Sequence, residues 1–155
     1  MTVEMKSPIA PETVSQLQEL IQMNVDSRDG FRHAANATDD LTLQISFEQF
    51  ADDRDVQSDE LARFVAWSGE APRFEGSFAA VVNRAWMTIR EMVSSDNRYA
   101  ILCEMERGED SLKAAYEVAL RDTPASAASD VLVHQYAAVK ATHDRIRDLR
   151  DFYAG

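Results

Sequence analysis

The chain has 155 residues, 45% hydrophobic and 28% charged, with a formal net charge of −11. That length suits one domain with a real core, and five Gly with four Pro are too few for a loop-rich or all-β protein. The acidity argues against nucleic acid and against anionic membrane surfaces, because nothing offsets phosphate repulsion. The lone Cys103 excludes an internal disulfide and a cysteine zinc cluster. It fits a reducing compartment. No apolar run approaches the ~18 residues that span a membrane. Met1-Thr2-Val3-Glu4-Met5-Lys6 lacks the layout of a signal peptide. A soluble cytoplasmic protein is expected.

Residues 1–10 read as a flexible lead-in and 11–155 as a single helical domain. Pro11 sits where a helix begins. Val14, Leu17, Ile21, Asn24, Arg28, Phe31 and Ala35 follow at three- and four-residue spacing, one stripe of a long helix with a polar middle. Thr38-Asp39-Asp40 reads as a stop and an N-cap. A second helix over Leu41–Trp67 carries Leu43, Phe47, Phe50, Arg54, Ser58, Leu61 and Val65. So short a link makes these helices antiparallel neighbours.

Ser68-Gly69-Glu70-Ala71-Pro72 breaks the pattern. Ser77 then caps a shorter helix to Val93, with Phe78, Val81, Val82, Ala85, Trp86 and Ile89 apolar. A further helix runs from Arg98 to Arg121, with Tyr99, Leu102, Glu106, Glu109, Leu112, Tyr116 and Leu120 in its stripe. Thr123-Pro124 reads as an N-cap and first-turn proline. The last helix shows Leu132, Gln135, Val139, Thr142, Ile146, Leu149 and Tyr153.

The shorter helix sets the topology. At 1.5 Å per residue it climbs roughly 25 Å, close to the height of a bundle. The second and third long helices then run parallel. A hairpin, a crossover and a second hairpin make a ferritin-like four-helix bundle with an additional crossover helix. A plain five-helix up-and-down bundle remains open.

Every long helix has a polar interruption: Asn24 and Arg28, Arg54 and Ser58, Glu106 and Glu109, and His143 beside Thr142. Buried charges need partners or metal. Glu106 and Glu109, one turn apart, with His143 suit a divalent transition metal, and Asp26 and Asp29 flank the first stripe. Alternatively, Arg28 and Arg54 neutralise Glu106 and Glu109 and no metal is bound. Glu-x-x-His, the recurring ligand pair of dimetal bundles, is missing: Lys140 precedes His143 by three, Val131 precedes His134, and Gly30 precedes His33. Cys103, beside Leu102, reads as a small buried hydrophobe.

Gly76-Ser-Phe-Ala-Ala-Val-Val-Asn-Arg-Ala-Trp86, Ala100-Ile-Leu-Cys-Glu-Met-Glu-Arg-Gly-Glu-Asp110 and the stretch from Gln135 through His143-Asp-Arg-Ile-Arg to Asp151 carry a resemblance. So do Leu20-Ile21 and Gly30-Phe31-Arg32 with Ala34-Ala35. The chain resembles an uncharacterised bacterial family of ferritin-like four-helix-bundle proteins, a domain of unknown function. The resemblance implies the fold and a relation to metal-binding bundles, without an established activity.

Two functions follow as expectations. The first is a non-enzymatic association or stress-related module, forming a homo-oligomer, with the face of Phe78, Val82, Trp86 and Ile89 as one candidate contact. The second is a metal-binding protein holding iron, manganese or zinc on Glu106, Glu109 and His143.

Overall fold

The computed structural model describes residues 9–74, 97–123 and 127–154. Four helices make up nearly all of these: α1 (Pro11–Ala37), α2 (Leu41–Trp67), α3 (Arg98–Asp122) and α4 (Ala127–Ala154). No strand occurs among the described residues.

Local chemistry sets the boundaries. Pro11 opens α1, where a missing N–H costs nothing and the fixed φ suits a helix. Asp40 caps α2 by accepting the Leu43 N–H through Oδ1 at 3.1 Å. Gly69 ends α2 at φ +90°, in the left-handed region. There the Glu70 N–H donates to the Val65 carbonyl at 3.2 Å and the Gly69 N–H to that of Ala66 at 3.0 Å. Asn97 caps α3 through the Ala100 N–H at 3.0 Å. Thr123, read in the sequence as an N-cap, instead closes α3 through a 2.9 Å bond from its N–H to the Ala119 carbonyl; Pro124 lies outside the described residues.

The helices pair as two hairpins, α1 with α2 and α3 with α4, and pack most extensively within each pair. Between the hairpins α1 meets α3 and α2 meets α4. Contacting helices are antiparallel. Gln16, Asn24 and Ser27 of α1 meet Asp122, Tyr116 and Glu109 of α3 in reversed order. The diagonal α2 and α3 run parallel: Arg98 at the start of α3 pairs with Asp39 and Asp40 before α2, and Arg54 pairs with Glu109 halfway along. This is the orientation the sequence suggests. The predicted helix from Ser77 to Val93 lies outside the described residues. Trp67 and Arg98, which flank the connection, stand at opposite ends of helices about 40 Å long. The chain leaving α2 first doubles back onto α1, where Gln18 donates to the Ala71 carbonyl at 2.9 Å and accepts from the Arg73 N–H at 2.8 Å.

One core runs through all four helices, including Leu17, Ile21, Phe31, Phe47, Leu61, Leu102, Leu112, Val139 and Ile146. Phe31 stacks on Phe47 at 6.4 Å and meets Phe50 at 5.3 Å, joining α1 to α2. The α2 stripe is buried as expected, and so is that of α4 as far as Leu149. Two stripes differ. On α1, Ser27 is buried in place of Arg28. On α3, Ile101, Met105 and Ala119 face inward where Tyr99, Glu106 and Leu120 were expected, and Tyr99 is exposed. At Arg28 and Glu106 the preceding residue takes the buried position, which moves a long charged side chain out of the core and a small or apolar one in, while the rest of each stripe is largely as expected. Ile9, within the expected lead-in, packs against the core.

Candidate functional site

The polar mid-stripe residues do converge, and Arg54 stands at their centre. It is the bulkiest fully buried side chain among the described residues. Its guanidinium lies between hairpins because Phe50 and Leu61, one and two turns away on the same stripe, hold that face of α2 in the core. Nη2 forms an ion pair with Oε1 of Glu109, which is as fully buried. Nη1 donates to Oε1 of Gln57 at 2.9 Å. The other oxygen of Glu109 accepts from the Ser27 hydroxyl at 3.0 Å. One positive and one negative charge thus neutralise each other in a dry setting, as isolated buried charges cannot.

About two turns further along α3 the network continues through Tyr116. Its hydroxyl accepts from Asn24 Nδ2 at 2.9 Å and donates to Gln135 Oε1 at 2.6 Å. Gln135 Nε2 donates to the Gln57 carbonyl at 3.1 Å and to Glu60 Oε1 at 2.9 Å. Gln57 joins both parts, so all four helices contribute. Burial pushes the Tyr116 phenol well above its ordinary value, with the Asn24 hydrogen bond opposing that shift. Tyr116 therefore acts as a neutral donor.

Glu106 and Glu109 turn to different partners. Three residues apart, they project about 60° from one another around the helix, and the edge of the core passes between them. Glu106 faces α4, where Oε1 pairs with Arg150. His143 joins that outer cluster: Nε2 is 2.6 Å from Asp110 Oδ1 and 3.7 Å from Glu106 Oε2, and Nδ1 is 3.3 Å from Asp144 Oδ1. The His143 hydrogen bond holds the Asp144 carboxyl below its ordinary value. Among the described residues, no group of three or more His, Cys, Asp or Glu is placed to hold a metal ion.

The expected arginine pairing is half present. Arg54 neutralises Glu109, but Arg28 lies between α1 and α2, paired with Asp29 and Asp55 at 2.9 Å each. Arg150 takes the place expected of Arg28 beside Glu106. Ser58 bonds its own helix at the Asp55 carbonyl, 2.9 Å away, and Thr142 does the same at Ala138, 3.2 Å away. His33 and His134 are exposed, and Cys103 is half-buried.

Sequence reasoning missed Ser27, Gln57 and Arg150 as partners. Gln57 had a signal, because it lies one turn beyond Arg54 on the same face. Arg150 had none, since it borders the predicted stripe in a segment dense with charges.

The arrangement can fix helix register and orientation. Both carboxylate oxygens of Glu109 already have partners. Among the described residues, no helix is long and apolar enough to cross a membrane. No curated protein sequence matches the chain. A family model does match residues 12–122, from the first turn of α1 to the end of α3 and so including Ser27, Arg54, Gln57, Glu109 and Tyr116; the chain belongs to that family, described as a domain of unknown function (DUF2383).

Proposed function

We propose that this chain is a ferritin-like helical bundle of bacterial type that works as a non-enzymatic association module in the cytoplasm. The observation that carries the reading is the buried pair of Arg54 with Glu109. A guanidinium occupies the carboxylate that a metal ion at mid-bundle would need. The parallel course of α2 and α3 supports the ferritin-like connectivity. The free Cys103 supports a reducing compartment. Association is supported by apolar surface left outside the core: Phe152 is 76% exposed, and Leu41 and Ile45, one turn apart on α2, are 67% and 60% exposed. Sedimentation equilibrium from low to several hundred micromolar tests it. A reversible dimer or larger oligomer is expected, and a monomer throughout that range would overturn the association reading.

The competing reading is a divalent transition-metal site on Glu106, Glu109 and His143. The 3.7 Å approach of His143 to Glu106 supports it. It requires Glu109 to leave Arg54, so metal uptake would have to coincide with loss of that ion pair.

A further inference from the structure

The end of α2 and the start of α4 leave space between them. Among the described residues, Arg63, Phe64 and Trp67 of α2 and Ala127, the first residue of α4, line a cleft of about 490 Å³. That volume falls within the roughly 300–1,000 Å³ of small-ligand pockets. The local sequence accounts for its shape. Phe64 and Trp67 are three residues apart and so project on one side of α2. Their rings meet edge to face at 6.5 Å and 80°, and Phe64 is anchored by packing against the core. Opposite them α4 presents only the methyl group of Ala127, where a longer side chain would close the gap. Of the helix pairs in contact, α2 and α4 are also the most sparsely packed.

The walls are apolar with one exception. Arg63 is the one charged side chain in the lining among the described residues. It is exposed, and it makes no ion pair or hydrogen bond with any of them. Glu60, one turn earlier on α2, instead accepts from Gln135 Nε2 at 2.9 Å. The negative end of the α2 dipole and the positive end of the α4 dipole lie side by side here and largely cancel, so Arg63 sets the sign of the site.

We infer that this cleft binds a small amphipathic carboxylate, with its apolar body against Phe64 and Trp67 and its carboxylate on the Arg63 guanidinium. The planar fork of the guanidinium matches a carboxylate with two parallel hydrogen bonds. A neutral apolar molecule would leave that fork unused, and an amphipathic cation would meet like charge. The inference goes beyond the association reading and does not depend on it: a monomer or a dimer in sedimentation leaves it untouched.

Titration of octanoate and decanoate into isotope-labelled protein tests it, with the Trp67 indole N–H resonance, assigned by its loss in Trp67→Phe, as the local reporter. A saturable shift is expected with both acids, at lower concentration for decanoate, whose longer chain buries more apolar surface. Decylamine, equal in length and opposite in charge, should bind at least tenfold more weakly. Arg63→Gln should weaken decanoate by about tenfold, the loss of a charge-assisted hydrogen bond. Ala127→Trp fills the cleft and should abolish the shift. Both positions are exposed, so both variants should keep the wild-type circular dichroism and Tm. Absence of a saturable Trp67 shift with either acid overturns the inference. So does equal binding of decylamine, or full decanoate affinity in Arg63→Gln or Ala127→Trp. If a variant fails to fold, the comparison of decanoate with decylamine on the wild type decides alone.

Discussion

Replacing Glu109 by alanine should be among the most damaging single changes in this protein. The carboxylate is fully buried and paired with an equally buried guanidinium. Its removal leaves the Arg54 charge in the core with Gln57 Oε1 as its remaining acceptor. Losing one member of such a pair costs about 3–5 kcal/mol. The Ser27 hydroxyl also loses its acceptor, which adds about 1 kcal/mol. Against a total stability of about 5–15 kcal/mol, the variant should be marginal, with Tm lower by roughly 10 °C or more. The double variant Arg54→Met with Glu109→Leu removes both charges and fills the space with apolar atoms. It should match the wild type or exceed it by about 1–4 kcal/mol. Urea unfolding followed by circular dichroism on Glu109→Ala, and on the cycle of wild type, Arg54→Met, Glu109→Leu and their double variant, measures the cost and the coupling. A Glu109→Ala cost below about 1 kcal/mol, or a double variant as unstable as the sum of the singles, would refute the buried-pair reasoning.

Other changes separate the parts of the network. Tyr116→Phe takes the donor from Gln135 Oε1 and leaves Asn24 Nδ2 with the Leu20 carbonyl as its remaining acceptor, and should cost about 1–3 kcal/mol in chemical denaturation. Because burial raises the Tyr116 phenol in the folded state, ionisation favours the unfolded chain; stability is full below the unfolded phenol value of about 10 and declines above it. Tyr116→Phe should flatten that alkaline decline, and an unchanged slope would count against it. Asp40 is shifted the other way: the Tyr153 hydroxyl holds its carboxyl below the ordinary value of 3.8, helped by the Leu43 N–H and Arg98. Its contribution is present above that value and lost as pH falls through the folded one. The cost of Asp40→Ala, about 1–2 kcal/mol near neutrality, should therefore shrink once pH falls below the ordinary carboxyl value and through the lowered folded one. Gly69→Ala should cost about 1 kcal/mol, because φ is +90° while the space around it is open; no change in Tm would argue against strain there.

The helices were legible because their ends carry explicit chemistry. Pro11, Asp40 and Gly69 each solve a backbone problem that is visible in the sequence. The order of the hairpins was legible from the short link around Thr38. The polar layer was legible as a set of residues but not as a set of pairs. Spacing places Glu106 and Glu109 on neighbouring faces of α3, yet a rotation of a few tens of degrees decides which one enters the core. Met105 settles it: the apolar side chain is buried and Glu106 is turned toward Arg150. The same small rotation buries Ser27 and sends Arg28 to Asp55. Distances between helices and their relative heights decide ion-pair partners, and a single sequence prints neither.

In the proposed function a guanidinium, not a metal ion, neutralises the carboxylate at mid-bundle. Titrating chelator-treated protein with iron(II), manganese(II) and zinc(II), while following bound metal and Tm together, tests it most directly. The wild type is expected to show no stoichiometric uptake and no rise in Tm. One or two tightly bound equivalents that raise Tm, and that are lost in both Glu109→Gln and His143→Ala, would contradict it.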